Sequence, residues 1–155
     1  MGYAVAKGNP KNVNPDDLCG LNVAVETGTV EEDAINKTAK QCKADGKKDI
    51  TIQSSKQQTD ATTAVVTGKA DVFFADSPVV GYAIAQTEGQ LEQLGKDFDS
   101  VPNAIAIKKG DSQTTEAVQK AMQKLMDDGT YTKILQHWGV ESGALDKAEI
   151  NPAVE

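Results

Sequence analysis

Two places in this chain carry residue types suited to ligand chemistry. The first is Glu26-Thr27-Gly28-Thr29-Val30. A short apolar strand, Val23-Ala24-Val25, runs into it, and a helix follows at once. Such a junction leaves free backbone N–H groups at the positive end of a helix dipole, which is an anion site. The second is Asp76, a carboxylate just past the apolar run from Asp71 to Ala75. Open parallel sheets bind ligands at the carboxyl ends of their strands. One junction that welcomes a carboxylate and one that welcomes an ammonium together suit an amino acid.

Each residue has a plain structural alternative. Thr29 would offer its hydroxyl, and Val30 its N–H, to a ligand carboxylate; alternatively Thr29 only caps the helix. Thr27 and Glu26 stand at the strand end, toward a ligand side chain. There Glu26 would favour a cationic or amide group over an acidic one; otherwise it is a solvated strand-end residue. Asp76 directly precedes Ser77-Pro78 and is also a candidate helix N-cap. Ser54, Ser55 and Gln57 follow the second strand and read either as cleft lining or as loop. Asp71 starts its strand, away from the cleft, and reads as structural.

The elements that must position these residues alternate. Residues 3–7 read as an extended run broken at Gly8-Asn9-Pro10, and Leu21–Glu26 reads as a strand. Thr29-Val30-Glu31-Glu32 fits a capping box that opens a helix to about Ala44. Asp49–Gln53 alternates as a strand, and Thr59–Thr67 is a helix stopped by Gly68. Asp71–Ala75 is apolar enough for a strand covered on both faces. Pro78 suits the first turn of a helix to about Gln86, and a short strand follows near Leu91–Leu94. This alternation predicts an α/β fold, a three-layer parallel-sheet lobe with crossover helices. Beyond a boundary near Pro102, Asn103–Lys108 reads as another strand. Gln113–Asp128 spaces Ala117, Val118, Ala121, Met122, Leu125 and Met126 as one buried helix face. Thr130 caps a shorter helix through Trp138, with His137 exposed and Trp138 as a packing anchor. These two helices form a C-terminal pair.

Composition narrows the function. The 155 residues make one ordinary domain or one large lobe. There are 23 acidic and 16 basic residues, every basic one a Lys. That argues against a nucleic-acid binder, which needs a basic stripe facing phosphate. No apolar run is long enough to span a bilayer as a helix. Residues 1–7 are too short and polar for a secretory signal. Cys19 and Cys42 are either a disulfide, which would place the protein in an oxidising compartment, or two free buried thiols. Two Cys are too few for a structural zinc site, and no cofactor is expected.

Four segments, in order, resemble the amino-acid-binding proteins of ABC importers, the two-lobed extracytoplasmic solute-binding family. They are Asp17-Leu18-Cys19-Gly20 with Val23-Ala24-Val25-Glu26-Thr27-Gly28-Thr29; Thr67-Gly68-Lys69-Ala70-Asp71 through Asp76-Ser77-Pro78; Ala104 through Gly110; and Asp128-Gly129-Thr130-Tyr131 through Trp138-Gly139-Val140. The resemblance implies a periplasmic-binding-protein-like lobe. Residues 1–18 would be a hinge-strand remnant and lead-in loop, 19–102 the second lobe, and 103–155 the return crossing strand, C-terminal helices and tail. It implies that Asp76 accepts from a ligand α-ammonium, and that Cys19 pairs with Cys42 as in some members. It also implies a periplasmic or extracellular setting and an ABC permease as partner in the intact protein.

The family's first lobe supplies an Arg to the ligand α-carboxylate, and this chain contains no Arg. Losing such a bidentate contact costs roughly 2–5 kcal/mol, or about 30-fold to several-thousand-fold in affinity. The expectation is therefore a truncated form that binds an amino acid weakly or not at all. The apolar face holding Val118, Met122, Leu125 and Trp138 would then repack on the sheet or form a homodimer with exchanged segments. The family has Tyr-Gly where this chain has Asn103-Ala104, which bears on pocket shape. The alternatives are an isolated folding module with no ligand and, more remotely, a receiver-like phosphoacceptor domain with Asp76 as acceptor. A receiver also needs an acidic pair after the first strand, where only Glu26 stands, and a Lys that Lys108 replaces poorly. No nucleophile–His arrangement is present, so no enzyme activity is expected.

Overall fold

In the computed structural model, which describes residues 1–99 and 103–153, five strands form one sheet in the order β3-β2-β4-β1-β5. The strands are β1 (Gly2–Ala6), β2 (Asn22–Glu26), β3 (Thr51–Ser55), β4 (Val72–Ala75) and β5 (Leu91–Leu94). Helices α1 (Val30–Ala44), α2 (Gln58–Val66) and α3 (Ser77–Gln86) connect them. The expected α/β class with crossover helices is what forms. The sheet is mixed, however: β2 pairs in parallel with β3 and β4, while β1 runs antiparallel to both β4 and β5. The β4–α3–β5 crossover skips one position, and β1 fills it. Gly2–Ala6, expected as an extended run, is thus an inner strand of the sheet.

Strand alternation divides the core into two layers. Val23, Val25, Val72 and Phe74 face Ile35 and Cys42 of α1. Ala4, Ala24, Phe73 and Ala75 face Ala61 and Val65 of α2 and Val80 and Ala83 of α3. Every residue of β4 is buried, as the unbroken Val72-Phe73-Phe74-Ala75 run requires. Tyr3, Phe74 and Phe98 form a ring cluster with centroids 4.7–5.7 Å apart. The Met1 ammonium donates to the Phe98 carbonyl at 2.8 Å, and the Phe98 N–H returns a bond to the Met1 carbonyl at 3.0 Å.

Cys19 and Cys42 form a disulfide with Cα atoms 5.7 Å apart. It ties the segment before β2 to the end of α1. Beside it, Lys47 donates to Asp17 at 2.9 Å.

Asp71 proves structural. One oxygen accepts from both the backbone N–H (2.8 Å) and the side-chain amide (3.1 Å) of Asn22, and the other lies 3.7 Å from the Lys11 ammonium. These bonds pin the starts of β2 and β4, at the opposite end of β4 from Asp76. Asp71→Ala leaves the Asn22 donors without their acceptor and should cost about 2–3 kcal/mol. Urea unfolding would show a lower midpoint with an unchanged slope; an unchanged midpoint would refute the role.

The chain divides into two compact units, Met1–Phe98 and Asp99–Glu155. The expected boundary at Pro102 lies outside the described residues. In the second unit, α4 (Ser112–Asp127) and α5 (Thr130–His137) precede a 3-10 turn at Glu141–Gly143. Gln119 and Gln123 of α4 hold the backbone of Ala148 at 3.0 Å on each side.

Three expectations fail in this unit. Residues 103–108 form no strand, because a strand needs a ladder partner and no described residue pairs with them. The α4 face is amphipathic, but none of its residues is buried, and Trp138 is 46% exposed. Two helices and a tail are too little chain to cover that stripe. Gly129, with φ at +77°, rather than Thr130, occupies the cap position of α5.

Candidate functional site

The sheet places β2 and β4 side by side and parallel, so their carboxyl ends open together. Glu26 ends β2 and Thr29 caps α1; Ala75 ends β4 and Asp76 takes the cap position of α3. These residues bound one small cleft of about 70 Å³, whose walls also include Phe74 and Val79. Of the five residues expected at a ligand site, the cleft gathers Glu26, Thr29 and Asp76. Thr27 and Val30 stand beside it, exposed, and do not line it.

Helix α1 begins as the capping box predicts. The Thr29 hydroxyl accepts from the Glu32 N–H at 3.2 Å and donates to the Glu26 carbonyl at 2.8 Å. Its proton is therefore committed, and capping accounts for this side chain. The reciprocal bond differs from the expected box: Glu32 accepts from the N–H of Gly28, at 2.8 Å, instead of from Thr29. Gly28 sits at φ +82°, a conformation that admits this turn and that a side chain would strain. The amides of Val30 and Glu31 have no acceptor within the helix, and they are the donors left at its positive end.

Ser54 does not reach the cleft. Its hydroxyl donates to Glu32, so Glu32 joins the end of β3 to the turn before α1. The Gly28 amide first, and then the Ser54 hydroxyl, hold the Glu32 carboxyl below the usual glutamate range. A depressed folded-state pKa means the clamp contributes above the usual range and is lost as pH falls through the lowered value. The Gly28 amide resonance should therefore titrate in acid with a midpoint below that of a free glutamate. A midpoint at or above the free value would show that the clamp is absent.

Asp76 forms no side-chain capping bond; α3 receives only its carbonyl, which accepts from Val79 and Val80 at 2.9 and 3.0 Å. Its exposed carboxylate remains available at the mouth of the cleft. The capping alternative thus fails for Asp76 and holds for Thr29.

Two polar lining residues escaped the sequence reading. Glu31 is only 4% exposed, and its Oε1 has no hydrogen-bond partner; nor has the buried Nε2 of Gln58. Both line the cleft, whereas Gln57, the residue singled out from sequence, does not. A signal existed for each. Glu31 falls in register with buried Ile35 and Cys42 on α1, and Gln58 with buried Ala61 and Val65 on α2.

A larger groove of about 250 Å³ lies in the second unit, beside the start of α4. Its Asp111 is already committed to Thr114, accepting from the N–H at 3.0 Å and the hydroxyl at 2.8 Å. His137 is exposed and stands edge-on to Trp138, with centroids 5.0 Å apart.

A mixed α/β lobe with a cleft at adjacent strand ends is the arrangement in which open α/β sheets hold ligands. Residues 15–141 match the family described as bacterial extracellular solute-binding proteins, family 3, and the chain belongs to that family. It is 39% identical over 150 residues to the arginine-binding protein ArgT of Corynebacterium glutamicum, covering 96% of this chain and 49% of that protein. It also resembles the structure of an ancestral cationic amino acid solute-binding protein, with a TM-score of 0.73, 27% identity, and 89% and 58% of the two chains covered. A binding component of an ABC transporter from Wolinella succinogenes, complexed with lysine, gives a TM-score of 0.68 at 26% identity over 94% and 61% of the chains. The chain spans about half the length of the curated relatives it matches.

Proposed function

We propose that this chain is the second-lobe portion of an extracytoplasmic protein that captures a free amino acid for an ABC permease. The observation that carries the reading is the meeting of Asp76 and the α1 N-terminus at neighbouring strand ends. Asp76 accepts from the ligand α-ammonium. The open amides at Val30 and Glu31 receive the α-carboxylate beside Thr29. Glu26 and Thr27 stand toward the ligand side chain. The relatives' names, which speak of arginine, of cationic amino acids and of lysine, support an amino acid as ligand.

The mechanism is capture rather than catalysis. In a two-lobed protein, closure is a population shift driven by contacts the ligand makes across the cleft. Residues 19–102 would then act as the second lobe and 103–155 as the return and C-terminal segment. An exchanged homodimer through the apolar face of α4 is the further expectation, and light scattering reads it.

Calorimetric titration of the oxidised chain against the twenty amino acids tests the function. Without an Arg, saturation is expected only in the millimolar range, for amino acids and not for sugars. Amino acids that behave no differently from sugars would contradict it.

A further inference from the structure

Glu31 is an unusual residue to find on the buried face of α1. The positions in register with it, Ile35 and Cys42, are apolar and packed into the core. Buried polar atoms are nearly always paired, because an unmade hydrogen bond in a dry site is costly. Yet Glu31 Oε1 and Gln58 Nε2 are both buried without partners, and both line the same cleft. Two such atoms, at the starts of α1 and α2 and lining one cleft, mark a place for a group the protein itself does not supply.

The chemistry of that group follows from what surrounds it. Glu26, Glu31 and Asp76 bound the cleft, and no Lys does. A neutral amino acid brings one ammonium, which answers Asp76 and leaves the remaining carboxylates unanswered. A second cation with N–H donors answers Glu31. Rotating the Gln58 amide about its last bond turns its carbonyl oxygen inward, as a further acceptor for the same group. The volume of about 70 Å³ admits the end of a side chain rather than a whole amino acid.

We infer that Glu31, together with Gln58, is the specificity-determining element of this cleft and takes the guanidinium or ammonium end of a cationic side chain. The rest of the ligand is placed by the amino-acid reading above, on which the inference rests.

The test uses the full 155-residue chain. Methylguanidinium and methylammonium serve as probes that lack an α-amino-acid group. Either probe should shift the Gln58 side-chain NH2 resonances and the Glu31 amide, and the stronger of the two identifies the cation. Glu31→Gln should weaken that response by roughly tenfold or more. It should also lower the preference for arginine or lysine over alanine by the same factor. Gln58→Met is the second variant, and it should weaken the cation response with the Glu31 carboxylate intact. Probe shifts that are absent in the wild type, or unchanged in both variants, overturn the inference and leave Glu31 a structural residue. Probe binding at Glu31 with no amino acid moving the Gly28–Val30 amides would instead sink the amino-acid reading and keep the cation subsite.

Discussion

Reducing the Cys19–Cys42 bridge is expected to destabilise the first unit by about 3 kcal/mol, as is replacing both residues by Ser. The bridge closes a loop with a sequence separation of 23. Its removal restores that loop's freedom to the unfolded chain, and the chain-entropy model assigns the cost accordingly. The native side adds little strain relief, because the ends it joins are held independently. Cys42 is buried against the β2 side of the core, and Asp17, two residues before Cys19, bonds Lys47. Stability should therefore fall without loss of the fold. For a unit of this size the melting temperature would drop by roughly 10–20 °C, read by circular dichroism with and without reductant. An unchanged melt would mean that the bridge constrains nothing the rest of the structure does not already hold.

The second large effect falls on ligand affinity. Asp76→Ala should weaken amino-acid binding by about ten- to a hundredfold, the worth of a charge-assisted hydrogen bond at 1.5–3 kcal/mol. The same variant should change stability by less than about 0.5 kcal/mol. This pairing of effects is specific. A capping carboxylate replaced by Ala costs about 0.5–2 kcal/mol of stability and leaves a distant ligand alone. In the structure α3 takes only the Asp76 carbonyl, so the capping outcome is not expected. Paired urea melts and titrations of the two proteins separate the alternatives. A destabilised variant with unaltered affinity would reassign Asp76 to the helix.

The readable parts of the sequence were those whose signal is local. The capping box at Thr29–Glu32, the stop at Gly68 and the unbroken apolar run of β4 each specify an element boundary without help from elsewhere. β3 lies two residues beyond its expected place, at Thr51–Ser55. Ser54 and Ser55 are poor strand formers, but they pair with Val25 and Glu26 of β2, and pairing outweighs propensity.

What the sequence concealed depends on distant partners. β1 was legible as extended, yet nothing in Gly2–Ala6 says that it enters the sheet between β4 and β5, antiparallel to both. Ala104-Ile105-Ala106-Ile107 has the composition of a strand and lacks a ladder partner among the described residues. At the site, Asp76 and Thr29 stood out because each lies at a strand-to-helix junction. Glu31 and Gln58 did not, because a charged or amide side chain in a helix normally faces solvent. Their register with Ile35 and Ala61 was the available clue.

The central claim is that one ligand bridges the α1 N-terminus and Asp76. The most direct measurement follows the backbone amide resonances of the oxidised chain during titration with free arginine, and then with alanine. The account predicts that the Gly28–Glu31 and Asp76–Val79 amides move together along a single saturable curve, while those of α4 stay fixed. Two clusters that titrate independently, or no movement in either, would contradict it.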